Sequence, residues 1–318
     1  MGLVVWAEIP LVNRIVDSPA FIANAEQQLR ELIRQNFNHP SIVCWGIQNE
    51  ITAAWAPGPD PASLIRRLAD LARKEDPDRP TVSAGTDPLD HPANWQTDLV
   101  AFNRYFGWYW GEAEMFGAWA DEMHAAHPDR PIGISEFGAG ASIHHHQDPP
   151  SLPRHDGPWH PEEWQAHVHE VHWRSMASRP YLWCKFVWNM FDFASDGRRE
   201  GDAAGRNDKG LVTIDRKVRK DAFFWYQANW SPDPMVHITS RRFNPRKASP
   251  VTVKVYSNCP DVSLLVNGTD LGPPAVEGPA FIWSQVALRT GPNHVRAIAR
   301  HQGGECSDEC TWELAADR

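Results

Sequence analysis

Two glutamates follow directly after short apolar segments that have the length of β-strands. Glu50 comes after the segment 42–47, and Glu136 comes after the segment 132–134. A carboxyl group at the end of a buried strand is partly shielded from water, so its pKa can be tuned. Hydrolysis of a glycosidic bond requires two such groups. Two such glutamates, neither of them beside Lys or Arg, favour a catalytic role, whereas either glutamate alone is more typical of an acid that caps a strand or pairs with arginine.

Composition excludes several other classes of function. The chain has 318 residues, with 40 acidic and 31 basic side chains and a formal net charge of -9. This balance, without a long Lys/Arg run, argues against a nucleic-acid partner and against an anionic membrane surface. No segment approaches the ~18 continuous apolar residues of a membrane span. The chain is therefore expected to be soluble.

Metal and cofactor sites are not expected either. The five cysteines show no metal-ligand spacing, so we interpret them as free thiols. Three adjacent histidines at 144–146 cannot converge on one ion, and we interpret them as part of a solvated loop. A dinucleotide site would require a glycine-rich turn after the first strand, and the sequence has none there.

Segments typical of strands alternate with segments typical of helices as far as residue 190. The strand segments lie near residues 4, 44, 82, 101, 134 and 186. Parallel strands that are apolar along their whole length are buried on both faces, as in a closed (β/α)8 barrel or a doubly wound sheet. Polar side chains follow these strands, which favours the (β/α)8, or TIM, barrel because its active site lies at the carboxyl ends of the strands.

The pattern changes to short alternating strands from about residue 234. Asn267-Gly268 is a strong hairpin signal between two of them. Such a series predicts an all-β sandwich of the immunoglobulin type. We therefore predict a barrel catalytic domain over residues 1–232 and an immunoglobulin-like domain over residues 233–318.

Several motifs resemble, in the same order, those of glycoside hydrolase family two, the family of β-galactosidases, β-glucuronidases and β-mannosidases. The resemblance covers essentially the whole chain. The matching segments are VWAEIP at 5–10, NHPSIV at 38–43, WGIQNE at 45–50, NRYFGWY at 103–109, ISEFG at 134–138, VWNMFDF at 187–193 and NDKGLV at 207–212.

The resemblance implies a role for five residues. Glu136 would be the nucleophile and Glu50 the general acid/base of a retaining double displacement. Asn49 would hydrogen-bond the 2-hydroxyl of the sugar, Tyr105 would steady the nucleophile, and Trp188 would form part of the pocket floor.

A β-linked carbohydrate is the implied substrate, and β-galactosidase is the activity favoured here, because family members with this NDKGL motif and this type of tail are usually assigned to galactosides. The alternative is β-glucuronidase, in which Asn207 and Lys209 would bind the substrate carboxylate. The arginine that glucuronidases carry four residues earlier is Ala203 here, which argues against a glucuronide substrate, and Arg198 and Arg199 in the preceding loop are not expected to replace it. A further alternative is an inactive or carbohydrate-binding fragment.

A (β/α)8 barrel has eight strands, whereas six are predicted before the sandwich begins, and the first starts at residue 3. We therefore expect a barrel that lacks its first two βα units, with little activity by itself. The first residues do not form a signal peptide, and any export signal would lie upstream. The sequence leaves the compartment and the oligomeric state open.

Overall fold

The computed structural model describes residues 2–52 and 58–316, and the chain divides into two compact units. The first unit consists of Met1–Tyr105, Met115–Phe137 and Ser175–Val187. The second unit consists of Phe106–Glu114, Gly138–Arg174 and Trp188–Arg318. Each unit is described separately below. The domain boundary near residue 232 stays a prediction.

The first unit contains a six-stranded parallel sheet whose spatial order follows the chain order. Its strands are β1 Val5–Glu8, β2 Ile42–Asn49, β3 Thr81–Gly85, β4 Leu99–Asn103, β5 Ile132–Glu136 and β6 Leu182–Lys185. Its helices are α1 Pro19–Asn36, α2 Ala62–Glu75 and α3 Met115–Ala126. All six strands predicted before residue 190 are therefore confirmed, in the sequential parallel arrangement of a TIM barrel.

The first helix begins where the sequence signals predict. The hydroxyl of Ser18 accepts a hydrogen bond from the backbone N–H of Phe21 at 3.2 Å, and Pro19 occupies the first turn. On its inner face α1 buries Leu29 and Ile33 completely. These side chains join a core that the apolar residues of β2 and α2 complete, namely Ile42, Trp45, Ile47, Leu64, Ile65, Leu68 and Ala72.

The second unit contains one whole helix, most of another helix, a short two-stranded ribbon and two larger sheets. The helices are α4 Glu162–Ala177 and α5 Asp221–Trp230, and the ribbon pairs β7 Phe193–Ala194 with β8 Arg206–Asn207. The sequence analysis did not predict α5, which carries the buried residues Ala222, Trp225, Tyr226 and Ala228. Aromatic residues follow one another in this helix, so its sequence does not show the separate apolar and polar faces by which an amphipathic helix is recognised.

Two four-stranded antiparallel sheets form the C-terminal part of this unit, as the predicted sandwich requires. The strands are β9 Val236–Ile238, β10 Val251–Ser257, β11 Asp261–Val266, β12 Thr269–Asp270, β13 Ala275–Glu277, β14 Ala280–Val286, β15 Gly291–His301 and β16 Gly304–Leu314. One sheet has the order β13-β14-β10-β9 and the other the order β12-β11-β15-β16. The β11–β12 hairpin turns at Asn267 and Gly268, both at positive φ (52° and 82°), which confirms the predicted turn.

No helix within residues 2–52 and 58–316 is both long enough and apolar enough to cross a membrane.

Candidate active site

Polar side chains lie at the carboxyl ends of three strands of the parallel sheet. Asn49 ends β2 and Glu50 follows it, Asn103 ends β4, and Glu136 ends β5. The register of the sheet pairs Asn103 directly with Glu136. Since parallel strands end at the same edge, the sheet brings these separate parts of the sequence together, at the edge where TIM barrels place their active sites.

Asn103 connects these strand ends through its side-chain amide. Its Nδ2 donates to Oε1 of Glu50 at 3.0 Å and to Oδ1 of Asn49 at 3.1 Å. Its Oδ1 accepts a hydrogen bond from the hydroxyl of Ser135 at 2.6 Å. Asn103 is buried, so water does not compete for these bonds. The amide therefore fixes the orientation of the half-buried Glu50 carboxyl group.

Glu50 also has an unusual backbone conformation. Its φ angle is 53°, in the left-handed region that non-glycine residues rarely adopt. The backbone N–H of Glu50 donates to the carbonyl of Ala84 at 3.0 Å, which anchors the bend to β3. Conformations of this kind cost on the order of 1 kcal/mol or more, and they cluster at functional sites.

Glu136 is held by a different type of donor. The hydroxyl of Tyr105 donates a short hydrogen bond to Oε2 of Glu136, and Tyr105 itself is buried. The backbone N–H of Arg104 donates to the carbonyl of Glu136 at 2.8 Å. This contact between Tyr105 and Glu136 is the one that the family resemblance implies, and the catalytic roles of Glu50 and Glu136 stay predictions. An oriented, half-buried carboxyl group of this kind can serve either as a nucleophile or in proton transfer.

Asn207 and Lys209 lie together in the second unit, in a segment that leaves β8. The side-chain oxygen of Asn207 accepts a hydrogen bond from the backbone N–H of Lys209 at 3.1 Å. Lys209 is buried, and its Nζ lies 5.5 Å from the ring centroid of Trp108 and 5.0 Å from that of Tyr109. The ammonium group is therefore enclosed by aromatic rings, an arrangement that stabilises a cation away from water.

The Tyr109 hydroxyl has a second cation beside it. Nη2 of Arg198 lies 3.5 Å from this oxygen. Burial raises the pKa of the phenol, but the charges of Lys209 and Arg198 and hydrogen bonds from both outweigh burial, so that the pKa of Tyr109 is lowered. This group of Lys209, Tyr109 and Arg198, hereafter the cationic cluster, can recognise an anion through charge and hydrogen bonding together.

Trp188 also belongs to the second unit, where its half-buried ring packs edge-on against Phe193 with 5.9 Å between ring centroids. Its backbone carbonyl approaches Gly138 so closely that a Cβ atom there would lie 2.6 Å from the oxygen. A role for Trp188 in the floor of the sugar pocket stays a prediction.

Two of the three adjacent histidines at 144–146 contact different neighbours. His145 stacks on the ring of Trp159 at 4.3 Å, and Nδ1 of His146 lies 2.9 Å from Glu163. Across residues 2–52 and 58–316, no group of three or more His, Cys, Asp or Glu side chains is arranged to hold a metal ion.

The sequence analysis missed Asn103, Ser135 and Tyr109 as site residues. Asn103 and Ser135 lie at strand ends in the sequence, and Tyr109 ends the motif at 103–109, so a signal was present for each. What the sequence could not provide was the contact itself. Asn103 and Glu50 are 53 residues apart, and Tyr109 and Arg198 are 89 residues apart.

Comparisons with known proteins identify relatives of the whole chain. The family described as "Glycosyl hydrolases family 2, TIM barrel domain" matches residues 2–232, and a domain of unknown function matches residues 248–307. A beta-glucuronidase of Bacteroides fragilis is 43% identical over 326 residues, which cover 100% of this chain and 46% of that protein.

Two solved structures share the fold along nearly the entire chain. A Bacteroides fragilis protein provisionally described as a beta-galactosidase superposes with a TM-score of 0.92 at 38% identity, covering 99% of this chain and 47% of that one. The FMN-binding beta-glucuronidase from Facaelibacterium prausnitzii L2-6 superposes with a TM-score of 0.90 at 40% identity, covering 98% and 47%. The chain thus spans about half the length of the relatives that it matches. On this evidence, the chain belongs to glycoside hydrolase family two.

Proposed function

We propose that this chain carries the catalytic residues of a retaining β-glucuronidase. The observation that carries the proposal is the cationic cluster, in which the Tyr109 hydroxyl has Lys209 on one side and Arg198 on the other. A glucuronide differs from a neutral glycoside by a carboxylate on its sugar ring. Two cations and a phenol suit a carboxylate, since charge-assisted hydrogen bonds are about twice as strong as neutral ones.

The environment of Lys209 supports an anionic substrate. Lys209 is only 2% exposed, so its ammonium group has lost most of its hydration, which is costly unless other groups replace the water. Aromatic faces replace part of it, and a substrate carboxylate would add a charge-assisted contact. A neutral galactoside would bring only hydroxyl groups to the same position.

Arg198 supplies a cation that the sequence motif of this chain lacks for binding a glucuronide. Ala203 stands where glucuronidases of the family carry arginine, so the segment before Asn207 lacks that cation. Arg198 comes from the preceding loop and reaches Tyr109, and its Nη1 also pairs with Glu200. That ion pair orients the guanidinium group, so we assign to Arg198 the role of the missing arginine.

The proposed chemistry uses the two strand-end carboxyl groups. Glu136, held by Tyr105, attacks the anomeric carbon and forms a covalent glycosyl-enzyme while Glu50 donates a proton to the departing oxygen. In the second step Glu50 removes a proton from water, the water oxygen attacks the anomeric carbon, and the bond to Glu136 breaks, which releases the sugar with retained configuration. Asn49 is proposed to bind the 2-hydroxyl, and its contact with Asn103 holds its side chain in place.

A β-galactosidase is the second candidate, and the provisional description of the Bacteroides fragilis relative supports it. Hydrolysis of nitrophenyl β-glucuronide, β-galactoside and β-mannoside by this chain, and by a longer enzyme that contains it, separates the candidates. We expect the glucuronide to be the best substrate of the longer enzyme. Preference for the galactoside would reverse the proposal, and sugar binding without turnover in both proteins would indicate a non-catalytic carbohydrate-binding protein.

A Lys209→Met variant tests the role of the cationic cluster within the same assay. Loss of one charge-assisted contact should lower kcat/KM for the glucuronide by about 10- to 100-fold. Hydrolysis of a neutral glycoside should change far less. Lys217→Met is the matched control, because Lys217 is 79% exposed and forms only a surface ion pair with Asp215.

A further inference from the structure

Between Asn207 and Lys209 lies an aspartate whose carboxyl group contacts a buried histidine. Oδ2 of Asp208 lies 2.6 Å from Nδ1 of His160. His160 is fully buried and Asp208 is 4% exposed. An ionised carboxylate without access to water requires a specific partner, and here the imidazole provides it. The proposed function leaves this pair without a role.

Two glycines enclose the carboxylate of Asp208. A Cβ atom on Gly140 would lie 2.5 Å from Oδ1, and one on Gly201 would lie 2.6 Å from Oδ2. Gly201 also has a φ angle of 73°, which disfavours any residue with a side chain. The backbone therefore approaches both carboxylate oxygens, and the side chain of Asp208 has little freedom to move.

The main chain at Asp208 is held as firmly as its side chain. The carbonyl of Asp208 accepts hydrogen bonds from Nζ of Lys220 at 2.8 Å and from the backbone N–H of Ala141 at 3.0 Å. Lys220 is fully buried and pairs with Asp192 at 2.9 Å. The segment that carries Asn207 and Lys209 is thus built on buried ionic contacts, a more rigid support than a surface loop provides.

His160 also touches the aromatic wall around Lys209. Its ring lies edge-on to Trp108 with 4.8 Å between centroids, and Trp108 in turn lies 5.5 Å from Nζ of Lys209. His160 therefore acts on Lys209 along two paths, through the neighbouring Asp208 in the chain and through the ring of Trp108. A shift of the imidazole would displace both the lysine and its enclosure.

We infer that His160 and Asp208 form a positioning pair that holds Asn207 and Lys209 in the arrangement that binds the substrate carboxylate. The inference rests on the proposed function and adds two residues to it. Burial raises the pKa of the Asp208 carboxyl group, but the hydrogen bond with His160 and the electrostatic effects of His160, Lys220 and Lys209 outweigh burial and lower the pKa. Asp208 is therefore ionised at neutral pH, and its charge contributes to the hold on His160.

Kinetics of the longer enzyme with Asp208→Asn and His160→Gln variants test this inference. We expect KM for nitrophenyl glucuronide to rise about tenfold while kcat changes little, since only the binding of the carboxylate is disturbed. Inhibition by glucuronate should weaken by the same factor. Inhibition by glucuronamide, which has the same ring without the charge, should stay within about twofold.

A matched control separates positioning from general loss of stability. His237→Gln breaks another buried histidine–aspartate pair of the same unit, in which Nε2 lies 3.0 Å from Asp221. We expect it to lower the thermal midpoint without changing the ratio of the two inhibition constants. If Asp208→Asn does not fold, His160→Gln carries the same test.

The outcomes of these experiments distinguish a failure of the proposed function from a failure of the positioning role of His160 and Asp208. A wild-type enzyme that neither hydrolyses glucuronide nor binds glucuronate would overturn the proposed function and this inference with it. A wild-type enzyme that binds glucuronate, with variants that lose glucuronate and glucuronamide equally, would overturn the inference alone. Variants that lose glucuronate selectively, unlike the His237 control, would support it.

Discussion

The side-chain amide of Asn103 donates a hydrogen bond of 3.0 Å to Oε1 of Glu50, while the backbone of Asn103 is in register with Glu136. One residue of β4 thus touches the carboxyl group that follows β2 and lies beside the residue that ends β5. This arrangement depends on the parallel sheet, in which β4 is the immediate neighbour of β5. A change at Asn103 should therefore disturb the proposed acid/base without altering either glutamate.

We expect Asn103→Ala to lower kcat/KM by about 10- to 100-fold, because loss of a hydrogen bond to a charged group costs about 1.5–3 kcal/mol. Steady-state kinetics on a glycoside with a poor leaving group would measure it, because such a substrate needs the proton that Glu50 is proposed to donate. Asn94→Ala is the control, because Asn94 is also buried but donates to the backbone carbonyls of Thr86 and Pro88. Equal losses of activity in the two variants would contradict an orienting role for Asn103.

The proposed division of labour between the two glutamates predicts different effects of Glu136→Gln and Glu50→Gln. The first should abolish the covalent glycosyl-enzyme, because an amide cannot act as the nucleophile. The second should slow substrates with poor leaving groups far more than activated ones, because only the former need the proton. Trapping with a fluorinated glycoside followed by peptide mapping checks the assignment, and a label on any residue other than Glu136 would refute it.

The lowered pKa of Tyr109 predicts a pH dependence of glucuronide hydrolysis. A neutral phenol donates a hydrogen bond to a carboxylate, whereas a phenolate repels it. Because the pKa is lowered from the usual value of 10.0, kcat/KM for the glucuronide should fall on the alkaline side at a pH below 10. Tyr109→Phe should remove this alkaline decline and lower kcat/KM at neutral pH. An unchanged alkaline limb in the variant would assign that titration to another group.

The raised pKa of Glu8 predicts that the stability of the folded protein depends on pH. Burial raises the pKa of this carboxyl group to about 8, partly opposed by a 3.1 Å hydrogen bond from Nε1 of Trp6. The unfolded chain releases the proton of Glu8 near the ordinary pKa of 4.5, whereas the folded state keeps it up to about pH 8. The protonated Glu8 therefore contributes fully to stability at low pH, and this contribution is lost as the pH rises from 4.5 towards 8. Glu8→Gln should remove that loss. Urea unfolding at pH 5 and pH 8 measures the free energy of unfolding of both proteins. The stability of the variant relative to the wild-type protein should be higher at pH 8 than at pH 5. The same difference in unfolding free energy at both pH values would contradict the raised pKa of Glu8.

The amino-acid sequence by itself was enough to predict most of the helices and strands and to identify the two glutamates of the candidate site. Continuous apolar strands such as β2, alternating with capped amphipathic helices such as α1, are local patterns that a parallel barrel sheet requires. The turn at Asn267 and Gly268 is equally local, because both residues tolerate positive φ. Glu50 and Glu136 could be recognised because each lies at the carboxyl end of a largely apolar strand.

The tertiary structure alone decided which polar groups meet. Asn103 bonds Glu50 because β2 and β4 end at the same edge of one sheet, a relation that sequence spacing does not encode. In the proposed function, the positive charge beside Tyr109 depends on Arg198, which reaches the phenol from a loop although the two residues are 89 positions apart in the sequence. A galactoside was favoured from the sequence because the NDKGL motif and the C-terminal tail resemble those of galactosidases, whereas binding of an anion depends on the cations that lie near it in space, since electrostatic attraction depends on distance and burial.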